Sequence, residues 1–240
     1  MSGASRSEGK AGVKVPGHVK WLILLTSFSS IGYGYLTTVI SAYLPEVGVS
    51  SGQVGLIIGV SGLAMIISAI PFGLMSDRIG RKRLLLVGLA ALPLSMFICS
   101  LSTSPDVFML AGIISGVAEG AILSTWNAMI ADKTTVDNRE MAFSISFIIN
   151  GAFSGLGLAM PFAFPFLEDL GGWTSGQVHS WAFVLLGFVT AISPITVNRL
   201  LRDHEDKVPS GGLRRGSFLK ERSKRTLLRF SINNTLIGLG

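Results

Sequence analysis

Asp, Glu, Lys and Arg residues in this chain are gathered into short intervals, and the long stretches between them carry almost none. Uncharged runs extend over Trp21–Pro45, Val47–Ser76, Leu84–Pro105, Met141–Leu167 and Leu170–Asn198. A sixth apolar run, Val107–Ala131, is interrupted once, by Glu119. An ionisable group is costly in hydrocarbon, and its absence over about 20 residues is what a membrane-spanning helix requires. At about 1.5 Å rise per residue, a run of about 25 residues extends roughly 37 Å, enough to cross a hydrocarbon core of about 30 Å with some tilt. The hydrophobic fraction of 49% lies near the ordinary globular range and decides nothing by itself. A soluble core would instead place charges every few residues along the outer faces of its helices and strands. The expected fold is therefore all-α, a polytopic membrane bundle of six transmembrane helices. The spans are expected at about 21–44, 53–75, 84–103, 107–131, 141–166 and 178–198.

Six spans force alternate loops onto opposite sides, which makes the positive-inside rule a test. All 20 Lys and Arg residues fall on one side: in the N-terminal tail, around Arg78–Arg83, at Lys133 and Arg139, and from Arg199 onward. The opposite loops carry only Glu46, Asp106, Glu168 and Asp169. A miscounted helix would scramble this partition. Residues 1–20 thus read as a cytoplasmic tail, 21–200 as the bundle of a cell-membrane protein, and 201–226 as a basic cytoplasmic linker containing Pro209, Ser210, Gly211 and Gly212. The net charge of +6 is topogenic, and the linker can lie on anionic headgroups of the bilayer. No aromatic-interleaved platform accompanies it, so no nucleic-acid partner is expected. Cys99 is alone, and His18, His179 and His204 are scattered, so neither a metal site nor a disulfide framework nor a cofactor is expected. The first apolar segment is too long for a signal-peptide core and reads as the first span.

Small residues mark helix packing. The fourth span contains Gly112, Gly116 and Gly120, with Ser124 continuing the stripe, a spacing that lets another helix approach closely. Gly55 with Gly59, and Gly151 with Gly155, repeat the pattern and are expected to do the same more weakly. Pro71, Pro93, Pro161, Pro165 and Pro194 lie within spans or near their ends, which membrane helices tolerate when neighbours satisfy the freed carbonyls.

Between the second and third spans stands Gly73-Leu74-Met75-Ser76-Asp77-Arg78-Ile79-Gly80-Arg81-Lys82-Arg83. Gly73 permits close helix contact, Gly80 can take a left-handed turn, and Asp77 ends an apolar span where it can meet a helix N-terminus. The segment resembles the signature loop of the major facilitator superfamily, G-x-x-x-D-(R/K)-x-G-R-(R/K). Its fixed positions are filled by Gly73, Asp77, Arg78, Gly80, Arg81 and Lys82. The first span also ends in Tyr43-Leu44-Pro45, as facilitator first helices often do. The resemblance implies a conformational latch in which the loop's carboxylate and arginine form a charge network with an acidic residue closing helix four. The matching positions are Asp77, Arg81 and Asp132. A helix of a second six-helix half would complete the network.

Glu119 is the candidate for substrate or proton coupling. A charged group at the bilayer centre costs roughly 2.5–3.5 kcal/mol on insertion scales, so it usually faces a bundle interior or an aqueous path. Protonation removes most of that cost, a natural basis for proton coupling; a hydrogen-bonded structural carboxyl is the alternative. Helical spacing puts Ser115, Leu123 and Trp126 near its face. The resemblance adds that helices one and four line the central cavity, which makes Tyr33, Tyr35, Trp126 and Asn127 secondary candidates. It also implies secondary active transport of a small-molecule substrate by alternating access. Two departures withhold a substrate class: Gly112 stands where many sugar and drug carriers have an arginine, and the antiporter signature of helix five is only partly matched by Gly151 to Gly157. Facilitators have two six-helix halves with the site between them. Here residues 227–240 read as a truncated start of a seventh helix, so a second half, in the same gene or a separate chain, is the expected partner. An inactive fragment, or a membrane scaffold or sensor that transports nothing, is the alternative. An enzyme is not expected, because no nucleophile–base pair, phosphate-binding glycine loop or metal-ligand cluster is visible.

Overall fold

The computed structural model describes residues 14–205. Six of its helices are long and apolar enough to cross a membrane: α1 (Gly17–Glu46), α2 (Ser51–Ile79), α3 (Arg81–Cys99), α4 (Pro105–Asp132), α5 (Val136–Gly171) and α6 (Ser175–Arg202). Among the described residues there is no strand, and the all-α, multi-pass membrane fold follows. The helices belong to one compact unit ending at Asp203, after which a second unit begins at His204. Most of the tail at 1–20, most of the linker at 201–226 and the truncated helix at 227–240 lie outside the described residues.

Polar caps start the helices where the apolar runs begin. Ser50 Oγ accepts the Gln53 N–H at 3.3 Å while Gln53 Oε1 accepts the Ser50 N–H at 3.1 Å, a reciprocal cap for α2. Thr174 and Gln177 repeat it at α6, and Asn138 accepts the Thr135 N–H at 2.9 Å at α5. Prolines change the turn type toward the far ends. Pro45 has no N–H to donate, and the turn ahead of it, Val39–Tyr43, widens so that the Leu44 N–H bonds Val39 O, five residues back. At Pro161, α5 tightens into a 3-10 turn over Met160–Ala163.

Two glycine seams organise the bundle. A Cβ on Gly116 would strike the Ser61 carbonyl, and one on Gly120 would strike Ser68 Oγ and the Met65 carbonyl, so these positions of α4 hold α2 at backbone distance. Gly73 extends the seam: a Cβ there would lie 3.8 Å from Ser124 Cβ, in ordinary contact. In the second seam, Gly34 of α1 lies against the Ser154 carbonyl and Gly157 of α5 against the Ile31 carbonyl. The expectation for Gly55, Gly59, Gly151 and Gly155 is corrected: a Cβ on any of the four would meet nothing within 4 Å. The repeat marks a small face, but no described helix covers it. Gly88 seats α3 on α4 beside the Ala118 carbonyl, and Ser193 Oγ donates to Leu25 O at 2.7 Å, tying α6 to α1. The most apolar window of α1 is 56% buried and that of α3 50%, against 17% in α2 and 11% in α5. α1 and α3 are therefore the most covered of the spans, and α2 and α5 leave most of their surface uncovered.

Candidate functional site

The signature segment folds into a single-residue corner. Gly80 alone separates α2 from α3, at φ +97° and ψ 134°, a backbone conformation that L side chains rarely adopt. Its N–H bonds Ser76 O at 3.1 Å, and Ser76 Oγ, buried, donates to Gly73 O at 2.7 Å. Arg81, the first residue of α3, then points across to the C-terminus of α4. Its Nη1 donates to Ala128 O at 2.8 Å and to Asp132 Oδ2, and its Nη2 lies 3.7 Å from Asp77 Oδ1. Asp77, Arg81 and Asp132 thus meet, with the arginine in the middle. From the start of α5, Arg139 Nη2 donates to Ala131 O at 3.1 Å, while its buried Nε has no hydrogen-bond partner. Two guanidinium groups therefore satisfy carbonyls of the last turn of α4, where orphan acceptors and the negative end of the helix dipole favour cations. The Arg81 side chain is 26% exposed, but the Asp77 and Asp132 carboxylates are 70% and 58% exposed. Arg78 is exposed and Lys82 half-buried. Arg139 escaped the sequence reading, where it counted only as a topogenic charge.

Glu119 stands on an exposed strip of α4 with Leu123 and Asn127. Each four-residue step rotates about 40° around the helix, so Ser115 falls behind the strip, where it is buried and bonds Gly112 O at 3.0 Å. Ser115 O faces α1 and accepts the Tyr33 hydroxyl at 3.4 Å. Tyr33 is within Coulombic range of Glu119. One and two turns beyond Tyr33, Thr37 and Ser41 are exposed on α1. Because α1 and α4 run in opposite directions, these positions and the α4 strip join end to end through the Tyr33–Ser115 contact. Thr37 and Ser41 gave no sequence signal, since hydroxyls are common in membrane helices.

Trp126 and Tyr35 go elsewhere. The Trp126 ring turns toward α5, its Nε1–H donating to Ser146 Oγ at 3.0 Å. Asn150 Nδ2 donates to Ser146 O at 2.8 Å, and Ser30 Oγ of α1 donates to Asn150 Oδ1 at 2.7 Å. This polar chain borders a cleft of about 370 Å³ lined by Thr26, Trp126, Asn127, Phe143, Phe147 and Asn150 among others. Asn150 was findable: an amide in mid-span is costly unless bonded. Tyr35 is two residues from Tyr33 and so on the other side of α1; it is fully buried and hydrogen-bonds His179 on α6 at 2.8 Å. Among the described residues, no group of three or more His, Cys, Asp or Glu side chains is placed to hold a metal ion.

Comparison with known proteins adds the family. The profile described as Major Facilitator Superfamily matches residues 22–239. Multidrug resistance protein 2 of Bacillus subtilis is 29% identical over 157 residues, which is 60% of this chain and 39% of that protein. Inner membrane transport protein YajR of Escherichia coli is 37% identical over 116 residues, 48% of this chain and 23% of that protein. Quinolone resistance protein NorA of Staphylococcus aureus is 26% identical over 183 residues, 75% of this chain and 44% of that protein. The chain spans less than half the length of each of these relatives. With the family profile covering most of the sequence, the Gly80 corner and the six-helix bundle are those of a member of the Major Facilitator Superfamily.

Proposed function

We propose that the chain is the N-terminal six-helix half of a secondary transporter that moves a small amphiphilic organic solute by alternating access, with Glu119 taking up and releasing the coupling proton. The observation that carries this reading is Glu119 itself. It is an ionisable residue in mid-span, exposed on α4, one turn from the Ser115–Tyr33 contact that joins α4 to α1. Protonation cancels most of the cost of exposing that carboxyl to a low-dielectric surface, so its charge state is linked to whether the strip is wet or covered. The cleft that Asn127, at the far end of the same strip, shares with Trp126, Phe143, Phe147 and Asn150 suits a flat apolar body with a few polar atoms. Relatives named for multidrug and quinolone resistance favour the same substrate class.

A second six-helix half is the partner in this reading, since the chain matches less than half of each relative and α2 and α5 leave most of their surface uncovered. In this reading the N-terminus and the Gly80 corner face the cytoplasm, an orientation that the one-sided distribution of Lys and Arg favours. The exposed Asp77 carboxylate is free to meet a helix N-terminus of the second half, while Arg81 and Asp132 hold the corner to α4. Testing takes proteoliposomes containing the chain together with its second half and an imposed pH gradient. Glu119→Gln is expected to abolish gradient-driven solute movement while leaving insertion and assembly intact. Undiminished pH-driven transport by Glu119→Gln would remove the residue from the coupling step.

A further inference from the structure

Five side chains with a polar atom line the cleft of about 370 Å³ shared by α1, α4 and α5. Four of them are engaged within the protein. Thr26 Oγ1 donates to Leu22 O at 2.7 Å. Ser146 Oγ accepts the Trp126 Nε1–H at 3.0 Å and Asn150 Nδ2 at 3.2 Å, which fills both acceptor positions of a hydroxyl. Asn150 also donates to Ser146 O at 2.8 Å, and its Oδ1 accepts the Ser30 hydroxyl at 2.7 Å. Asn127 is the fifth. It is exposed, and its amide has no hydrogen bond among the described residues.

This division decides what the cleft offers a solute. The indole of Trp126 has a single polar atom, and Ser146 holds it, so the ring adds apolar surface to that of Phe143 and Phe147. Ser146 is itself buried, and Asn150 ties it to Ser30, so the anchor of a ring on α4 is braced through α5 to α1. A wall fixed in advance loses less freedom when a second ring packs on it. Against that wall Asn127 supplies a carbonyl acceptor and N–H donors side by side. No charged side chain lines the cleft. The matching solute is therefore neutral and flat, with an acceptor and an N–H donor adjacent on one edge.

We propose that the cleft selects a neutral, planar aromatic amide. Asn127 is the specificity-determining residue and pairs with the amide edge, while Ser146 and Asn150 are positioning residues that hold Trp126 as an apolar wall. The assignment rests on the cleft being a solute site and names the class of solute it takes. It requires neither Glu119 nor a proton gradient.

The test is calorimetric titration of the full 240-residue chain in detergent with naphthalene-2-carboxamide, 2-acetylnaphthalene and decalin-2-carboxamide. The ketone keeps the shape and carbonyl of the first probe without its N–H donors, and the decalin keeps the amide without the flat rings. The naphthyl amide is expected to bind about fivefold more tightly than the ketone, as one uncharged hydrogen bond gives. It is expected to bind about fivefold more tightly than the decalin, as aromatic contact gives. Asn127→Leu, at an exposed position, should erase the first preference and keep the second. Ser146→Ala and, as a second route, Asn150→Leu should erase the preference for the flat rings. A spectroscopic readout follows Trp126 itself. Among the indole N–H signals of the four tryptophans, the one lost in Trp126→Phe should exchange with solvent most slowly, since Trp21, Trp173 and Trp181 are 58%, 49% and 66% exposed. Ser146→Ala should remove that protection. Circular dichroism confirms that each variant is helical. A preference for amide over ketone that survives Asn127→Leu, a ring preference unchanged in both Ser146→Ala and Asn150→Leu, or a wild-type Trp126 N–H that exchanges as fast as the other three would each overturn the assignment while the cleft still binds solute. No binding of any probe to the wild-type chain would overturn it together with the cleft as a solute site, and the Glu119→Gln transport test is decided separately.

Discussion

The two ends of the bundle are fastened by different physics. At the Gly80 corner, one guanidinium joins three helices: Arg81 of α3 bonds the last turn of α4 and stands near Asp77 of α2, and the carboxylates it meets keep more than half of their surface in contact with solvent. At the other end, Tyr35, Tyr43, Phe164 and His179 interlock as rings, with Tyr35 fully buried. Charge-assisted bonds to exposed groups can be exchanged for water or for another partner at small cost. Interlocked aromatic packing cannot, because opening it forfeits many close contacts at once. Under the proposed alternating-access reading, the difference marks the Gly80 corner as the end whose contacts exchange and the His179 stack as the end that keeps α1, α5 and α6 together.

The contrast breaks most visibly at Tyr35. Tyr35→Ala removes a fully buried ring from the stack and leaves a cavity between α1 and α6; it is expected to cost about 3 kcal/mol. Thermal or SDS-driven unfolding in detergent would read this as a much earlier transition. Arg81→Ala strips the α4 terminus of one donor and separates a charge network, yet water can replace the lost groups; about 1–2 kcal/mol is expected from the same measurement. A greater loss for Arg81→Ala than for Tyr35→Ala would reverse the assignment of which end is fixed.

How far these two ends were legible in the sequence differs for the same reason. The corner was readable because its information is local: Gly80 between two charged flanks announces a turn, and Asp77 and Arg81 are four residues apart. Asp132 came through the family resemblance, and Arg139 was missed because nothing in a loop arginine says which carbonyl it will reach. The six spans were readable because bilayer solvation forbids charge over each of them, a constraint that acts on every residue separately. The His179 stack was not readable. Tyr35 and His179 are 144 positions apart, and a lone histidine in an apolar run carries no signature of the ring that will stack on it. The same limit explains the glycines. A four-residue repeat declares a smooth face, but whether another backbone lies on it depends on the arrangement of the helices. Gly116 and Gly120 meet α2, whereas Gly55 and Gly151 meet nothing within 4 Å.

Tyr35→Phe sharpens the reading of the stack by separating its packing from its one polar bond. The ring stays and only the hydroxyl facing His179 goes, so the cost is expected to fall to about 0.6 kcal/mol, the usual worth of a hydrogen bond inside a membrane protein. Unfolding measured beside Tyr35→Ala then partitions the end into ring packing and hydrogen bonding. If the phenylalanine variant lost as much as the alanine variant, the hydrogen bond and not the packing would hold the three helices, and the stack would be as exchangeable as the corner.

Asp77→Asn carries the smallest expected effect and the finest test. Its oxygen is 3.7 Å from Arg81 across a largely solvated gap, and exposed ion pairs are worth about 0.2–1 kcal/mol. A double-mutant cycle with Arg81→Gln, run on the unfolding free energy, should return a coupling of about that size, and it should vanish near 1 M salt, where the screening length falls to about 3 Å. A carboxylate held so weakly within its own bundle can turn to another helix terminus at small cost, as the proposed latch requires. A salt-insensitive coupling above about 1 kcal/mol would instead make Asp77 a fixed fastener, and the two ends of the bundle would then be held by equally permanent means.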